Sequence, residues 1–420
     1  MSSLVLILEF VLAPLIAAGV VLAFALSPRR GLLKALLAEL PERLGRVPPE
    51  TRAKLAGKRV WWLHAASAGE VAGLEPVLAA LAGRPDAPYI VMTSTTAAGR
   101  AAAAKLAGVA YACLAPSDTL PCVTRFIRTL SPERLLLTET ELWPSTIIAA
   151  SRAGLKPALL NARMTERSFG RYRLIAPLLR PALEALSVVA AQTAPDGDRF
   201  TALGAPRVVV TGNSKYDRGA APAATADADE RLKTLGLHDK PLFIAGSTHP
   251  GEEDVVLAAF LQARALGADF RLVLAPRHAE RAGDALKSLR EGGLKPALWS
   301  RTAADADGSC LLVDVMGVLP ALWPRARAAF VGGTIVPVGG HNLLEPALAG
   351  VPVLFGPHTG HIELPALLLE NGGGGWRVSD AASLADRLVE LSRDPARAAG
   401  VGGKARELAQ GLRGATQRAL

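Results

Sequence analysis

Short, uninterrupted apolar runs rich in β-branched residues recur between Ala/Leu/Arg-rich stretches from residue 59 to residue 356, and this rhythm leaves few folds open. The first half carries VWWLHA (60–65), YIVMTS (89–94), RLLLTE (134–139), PALLNA (157–162), SVVAAQ (187–192) and RVVVTG (207–212). Each is too short for a buried helix and lacks the apolar/polar alternation of a half-exposed strand. Parallel strands covered by helices on both faces have this character. After Asp217 the rhythm stops for RGAAPAATADADERLKTLGLHDK, which is poor in large apolar residues. It restarts with PLFIAG (241–246), FRLVLAP (270–276), CLLVDV (310–315), AAFVGG (328–333) and VPVLFG (351–356). Two βα arrays in succession predict two doubly wound, Rossmann-like α/β domains, 59–217 and 241–400, with a cleft between them. Residues 218–240 read as a linker with a short helix, and 401–420 as a C-terminal helix.

Ahead of the arrays lies LVLILEFVLAPLIAAGVVLAFAL, Leu4 to Leu26. At ~1.5 Å per residue it reaches about 35 Å, enough for a hydrocarbon core of ~30 Å. Glu9 sits near one end, where it can snorkel, and Pro14 kinks a membrane helix without abolishing it. No Lys or Arg precedes the run, and it is longer than a signal peptide's apolar region, so 1–28 reads as an uncleaved membrane-anchor helix. The formal net charge of +9 is concentrated directly behind it. Residues 27–59 hold nine basic side chains (Arg29, Arg30, Lys34, Arg43, Arg46, Arg52, Lys54, Lys58, Arg59) against Glu39, Glu42 and Glu50. The positive-inside rule then places the body in the cytoplasm. The basic juxtamembrane helical segment 29–58 would lie against anionic lipid, each charge contributing ~1 kcal/mol. Aromatic residues are 5% of the chain and are not interleaved with the basic surplus, which argues against a nucleic-acid partner. Half the residues are apolar and 20% charged, which excludes a disordered chain. Cys113, Cys122 and Cys310 are too few and too scattered for a disulfide scaffold or a zinc site.

Doubly wound sheets bind ligands at the carboxyl ends of their strands. HAASAGEV (64–71) puts Glu70 in the first turn of a helix, where it can serve as a general base. In TETELWPS (138–145), Glu139 and Glu141 point to opposite faces if the strand continues. TGNSKYD (211–217) places Lys215 and Asp217 where the chain leaves the first array, at the expected cleft. In the second array AGSTHPGEED (245–254) sets Ser247, Thr248 and His249 after a strand, with Glu252 and Glu253 in a helical first turn. APRHAER (275–281) does the same for Arg277, suited to bidentate phosphate or carboxylate contact, and His278. VGGTIVPVGGHNLLEPALAG (331–350) brackets a loop with Gly332, Gly333, Gly339 and Gly340, then runs through His341 and Asn342 into a helix carrying Glu345. A Gly-rich loop feeding a helix N-terminus suits a phosphate, and an acid one turn in suits ribose hydroxyls. The pattern is neither GxGxxG nor a P-loop, so NAD(P) and ATP are poor candidates. No acidic cluster with metal spacing follows a strand, so no metal is expected.

In this order, HAASAGEV, TETELWPS, NARMTERS, GNSKYD, STHPGEE, PRHAER, FVGGT and GGHNLLEPA resemble the 3-deoxy-D-manno-octulosonic acid (Kdo) transferases of lipopolysaccharide biosynthesis, as does ERLGR (42–46) behind an anchor. The resemblance implies a GT-B glycosyltransferase without a cofactor. Its partners would be CMP-Kdo as donor, a lipid A precursor (lipid IVA) as acceptor and anionic inner-membrane lipid, at the cytoplasmic face of the inner membrane. It implies Glu70 as catalytic base, with Glu139 and Lys215 stabilising the transition state. It also implies CMP contacts from Pro276, Arg277, Met316, Gly317, Val318, Asn342, Leu343, Leu344 and Glu345. Ser247, Thr248, His249, His278, Gly340 and His341 are further donor-side candidates. Val318 stands where the family often has Glu, so a backbone contact alone is expected there, and Ser145 replaces a common Asn. A GT-B transferase or epimerase acting on a UDP-sugar is the alternative enzyme, and a membrane-anchored nucleotide sensor the alternative without catalysis.

Overall fold

The computed structural model describes residues 30–218, 225–301 and 308–420. The anchor expected over 1–28 lies outside them; among the described residues no helix is long and apolar enough to cross a membrane. The chain divides into two units. One takes the described residues up to Arg218 and then Arg413–Leu420; the other takes those between.

The first unit is built on seven parallel strands: β1 (Val60–His64), β2 (Tyr89–Ser94), β3 (Val109–Leu114), β4 (Arg134–Thr138), β5 (Lys156–Ala162), β6 (Val188–Ala191) and β7 (Val208–Val210). Their order is β3-β2-β1-β4-β5-β6-β7, so the winding reverses between β1 and β4. Side chains alternate between two cores. Trp62, Leu135 and Leu137 face one with Phe126, Ile147 and Phe200. Trp61, Leu63 and Leu136 face the other with Val71, Leu74 and Leu78. Burial on this scale, at roughly 1.5–3 kcal/mol per large apolar side chain, holds the layers together.

The basic segment does not stand apart from this unit. Its helices Arg30–Arg43 and Pro49–Leu55 lead into β1, and Leu55 is buried in the first core. Glu42 accepts from the Leu114 N–H at 2.6 Å and from Arg100, and Arg43 donates to the Thr95 carbonyl at 2.7 Å. Gly45 lies so close to Cys122 that a Cβ would sit 2.1 Å from its carbonyl oxygen.

The second unit repeats the plan with β8 (Leu242–Thr248), β9 (Arg271–Pro276), β10 (Ala297–Leu298), β11 (Cys310–Leu312), β12 (Ala326–Val331), β13 (Val353–Phe355) and β14 (Gly375–Arg377). The order β10-β11-β9-β8-β12-β13-β14 reverses between β8 and β12. From Thr225 the stretch read as a linker is a helix of this unit, Thr225–Thr234, with Ala228 and Leu232 buried and Arg231 donating to the Trp299 carbonyl. The C-terminal region is two helices. Pro395–Gly411 belongs to the second unit, and Ala415–Ala419 to the first, where the Asp217 carboxylate accepts from the N–H groups of Gly414 (2.5 Å) and Thr416 (2.6 Å).

Candidate active site

In the first unit the acids and the lysine gather where the winding reverses. Glu70 lies in the first turn of helix Ala68–Gly73, capped by Ser67. The Ser67 hydroxyl donates to Glu70 Oε1 at 3.0 Å, and the Ala66 N–H donates to Oε2 at 3.0 Å. The Thr138 hydroxyl, at the end of β4, shares its proton between Oε2 and the His64 carbonyl, both at 3.1 Å. A carboxylate offers about four lone-pair sites. Three are engaged, the residue is half-buried, and one site on Oε1 stays open.

Glu139 does not continue the strand. It has φ +52°, a left-handed backbone that costs a non-glycine residue about 1–2 kcal/mol. It is locked there by its N–H to the Leu160 carbonyl and its own carbonyl to the Arg163 N–H. The two glutamates of TETEL therefore part through a turn rather than by strand alternation. Burial, and next the charge of Glu70, push the Glu139 carboxyl up, and Lys215 draws it back. Lys215 occupies the short 3-10 turn Ser214–Asp217. Surrounding protein lowers its ammonium and Glu139 raises it, while much of the side chain remains exposed to water.

NARMTERS and GNSKYD meet to position that turn. Asn161, itself at φ +49°, donates to Ser214 Oγ at 2.8 Å and accepts from the Ser214 N–H at 2.9 Å. Ser214 Oγ donates to the Gly73 carbonyl at the end of the Glu70 helix. Asp217 is spent on the C-terminal helix.

In the second unit β8, β9 and β12 deliver the anion-suited side chains. His249 follows β8 and His341 follows the glycine loop; their rings stack at 5.0 Å, with Nε2 to Nε2 at 2.7 Å. That separation requires one of the two nitrogens to carry the proton and the other to accept it. Burial, then His249, pushes His341 down to about 4, and burial also lowers His249. His278 meets His249 edge-on at 6.1 Å. Arg277 donates its N–H to the Thr248 carbonyl, and its half-buried guanidinium has no acidic partner among the described residues.

The glycine loop is held by Glu252, which is fully buried. Its carboxylate accepts from the N–H groups of His249 (2.9 Å), Gly333 (2.7 Å), Thr334 (2.9 Å) and Ile335 (2.9 Å). Gly332 is obligatory, since a Cβ would sit 2.4 Å from the Ser247 carbonyl oxygen, and Gly340 turns the loop at φ +92°. Thr248 and Arg281 both donate to Glu253. Ser247 takes up the bulge at the end of β8 with φ +58°.

The remaining residues end or follow strands of the same unit. Pro276 ends β9. Met316 and Gly317 lie exposed after β11, and Val318 caps the short helix Leu319–Leu322. The helix after Asn342 is only Leu344–Leu348, too short for a strong dipole. Asn342 lies two residues before it, accepting from the Leu344 N–H and donating to Glu345, which also accepts from Trp323. Leu343 and Leu344 are buried beneath it. Among the described residues no group of three or more His, Cys, Asp or Glu is placed to hold a metal ion.

Two doubly wound units with ionisable groups at their strand ends define the GT-B class. A glycosyltransferase from Rickettsia africae has this fold, with TM-score 0.56 and 12% identity over 86% of this chain and 97% of that one. So does UDP-GlcNAc 2-epimerase from Neisseria meningitidis, with TM-score 0.52 and 15% identity over 84% and 99%. At such identities the likeness is one of fold alone. Residues 38–218 match the family described as 3-Deoxy-D-manno-octulosonic-acid transferase (kdotransferase). The 3-deoxy-D-manno-octulosonic acid transferase of Bordetella pertussis is 34% identical over 90% of both chains. That of Haemophilus influenzae is 32% identical over 86% of this chain and 85% of its own. The chain belongs to the Kdo transferase family.

Proposed function

We propose that this Kdo transferase takes Kdo from CMP-Kdo and attaches it to the lipid A precursor, lipid IVA, by a direct displacement that inverts the anomeric centre. The carrying observation is the Glu70 carboxylate, fixed by three donors yet open at one lone pair, beside Glu139 and Lys215. Glu70 takes the proton of an acceptor hydroxyl, whose oxygen forms the new bond to the Kdo anomeric carbon. The bond from that carbon to the CMP phosphate oxygen breaks, and CMP leaves with the electron pair. Glu139 offsets positive charge developing on the sugar, and Lys215 holds an anionic group of donor or acceptor. In the second unit Arg277, without a carboxylate partner among the described residues, holds the leaving phosphate, and the histidines around it donate hydrogen bonds.

The same reading takes the enzyme to the cytoplasmic face of the inner membrane, tethered through 1–28. It is supported by exposed basic side chains: Arg52 joins Arg125 and Arg128 around one shallow depression. Clusters of this kind favour anionic headgroups.

The test is Glu70→Gln with CMP-Kdo and a tetraacylated lipid A precursor, product read by mass spectrometry. Loss of a general base predicts a fall in transfer of roughly 10²–10⁴-fold, with CMP affinity by titration calorimetry unchanged. Turnover near wild type removes Glu70 from the mechanism. Tighter binding of UDP than of CMP overturns the donor assignment.

A further inference from the structure

His249 and His341 meet through their Nε2 atoms at 2.7 Å, with ring planes 6° apart. Neither Nδ1 has a hydrogen bond to a described residue, and neither is a buried atom left without a partner. Both Nδ1 atoms therefore reach solvent-accessible space.

The proton count follows from that contact. Two neutral imidazoles carry two ring protons. One lies between the Nε2 atoms. The ring that donates it has a bare Nδ1, and the ring that accepts it carries the second proton on its own Nδ1. The neutral pair thus presents one outward donor and one outward acceptor. An added proton goes to the bare Nδ1, since both Nε2 atoms are occupied. The pair then presents two outward donors and spreads one positive charge over two rings joined by a charge-assisted bond.

The surroundings select an anion. The acids beside the pair are spent: Glu252 accepts from five backbone N–H groups, and Glu253 accepts from Thr248 and Arg281. The cations are Arg277, Arg281 and, when protonated, His278, which meets His249 edge-on. Arg277 is held next to His249 by its N–H to the Thr248 carbonyl and has no acidic partner among the described residues. Without a ligand, burial, then His249 and Arg277, push His341 down to about 4, and burial lowers His249, with Glu252 opposing in both. An anion set down by Arg277 reverses the balance, since opposite charge at contact raises an imidazole by about 1–3 units. A phosphate is the anion whose charge changes during transfer. It is a diester with one charge in CMP-Kdo and a monoester with a second ionisation at about pH 6 in CMP.

We propose that His249 and His341 act as one proton-charged clamp on the leaving phosphate, taking up a single proton from solvent as the second phosphate charge forms. The bond from the Kdo anomeric carbon breaks with its electron pair on the phosphate oxygen. The proton lands on the bare Nδ1 and returns to solvent when CMP dissociates. The proposal rests on the reading of the second unit as the one that holds CMP. Calorimetric titration of CMP into the full chain at about pH 7, in buffers of different ionisation enthalpy, counts the protons. Wild type should take up about half a proton or more per CMP, and none with cytidine, which lacks the phosphate. His249→Asn, His341→Asn and the double variant should each weaken CMP at least tenfold and by similar factors, because one shared charge is lost with either ring. All three should bind cytidine within twofold of wild type, which also shows that they fold. In transfer, kcat should fall at least tenfold in each single variant, and by more than the CMP-Kdo KM rises. A wild type that binds CMP without taking up a proton overturns the proposal. So do equal uptake with cytidine, losses that add in the double variant, and uptake with free Kdo but not with CMP, which would move the charge to the sugar carboxylate. A wild type that binds UDP in place of CMP overturns the proposed function instead.

Discussion

Replacing Glu252 by Gln should damage the second unit more than any surface change, although the side chain touches no substrate. Its two oxygens divide five backbone donors, His249 and Gly333 on Oε2, and Thr334, Ile335 and (at 3.4 Å) Val336 on Oε1. An amide keeps one oxygen and presents an NH₂ in place of the other. Whichever way it turns, at least two N–H groups lose their acceptor and face a donor in a site with no solvent. At about 1–3 kcal/mol per stranded donor the cost is roughly 2–6 kcal/mol. A unit of this size loses roughly 2–4 °C of Tm per kcal/mol, so the midpoint should fall by on the order of 10 °C. The loop from Gly333 to Gly340 would lose its tether, and CMP affinity should drop by about tenfold, near 1.4 kcal/mol. Thermal melting and calorimetric titration of CMP into the full chain read both effects. A Glu252→Gln protein that melts within about 2 °C of wild type and binds CMP equally would refute the reasoning, because the carboxylate would then not be what holds the loop.

Glu139→Gln should stabilise the first unit in a pH-dependent way. A carboxyl raised by burial and by Glu70 binds its proton more readily folded than unfolded. Its contribution is therefore present at low pH and lost as pH rises from the ordinary carboxylate value through the folded one. The gain in urea midpoint should appear above that window and vanish below it, and an equal gain at both ends would contradict the assignment. His341 runs the other way: held neutral and pushed down to about 4, it costs stability as pH falls from about 6.5 through 4. His341→Gln should flatten the acid limb of the stability curve there, and an unaltered limb would show that the imidazole is not the sensitive group. Asp217→Ala should free the N–H groups of Gly414 and Thr416, two bonds worth about 1.5–3 kcal/mol each. Amide exchange should then quicken at least tenfold over residues 413–420, and unchanged exchange would refute the tie.

Strands that carry large β-branched or aliphatic residues through the centre of each sheet, such as VWWLH and FRLVLAP, were legible because nothing else buries both faces of so short a segment. The edges were not. Val109–Leu114 is VAYACL, whose small residues carry little of that signal, and Ala297–Leu298 and Gly375–Arg377 are too short to show a period. The strand-end motifs were legible as places, since each βα turn is marked by glycine, small polar residues and an acid. What each side chain does there was not. Glu141 read as facing away from Glu139 along a continuing strand, but Glu139 is itself left-handed and the turn that follows sends Glu141 to His64 and Trp143. Asn161 and Ser214 lie 53 positions apart, and no local pattern announces that they bond. The basic segment read as a membrane belt, yet Glu42 and Arg43 are tied to the ends of β2 and β3, because their spacing in the chain says nothing of their partners in space.

Glu70 and Glu252 make the same point in a form that bears on mechanism. Each lies in the first turn of the helix after the first strand of its unit, three residues beyond a residue whose backbone or side chain it contacts. Both follow a Ser and a Gly, in HAASAGE and GSTHPGE, so residue types alone assign them one role. Saturation separates them. Glu252 has five backbone donors on its four lone-pair sites and no exposure, so it has no site left to accept a substrate proton. Glu70 has three donors, two of them hydroxyls, and is half exposed. A general base needs both fixed orientation and a free lone pair. Glu70 meets both conditions, whereas Glu252 meets only the first, and the difference is made by whether a glycine-rich loop folds back over the carboxylate. A substitution that supplied Glu70 with a fourth buried donor should therefore lower transfer without touching the carboxylate itself.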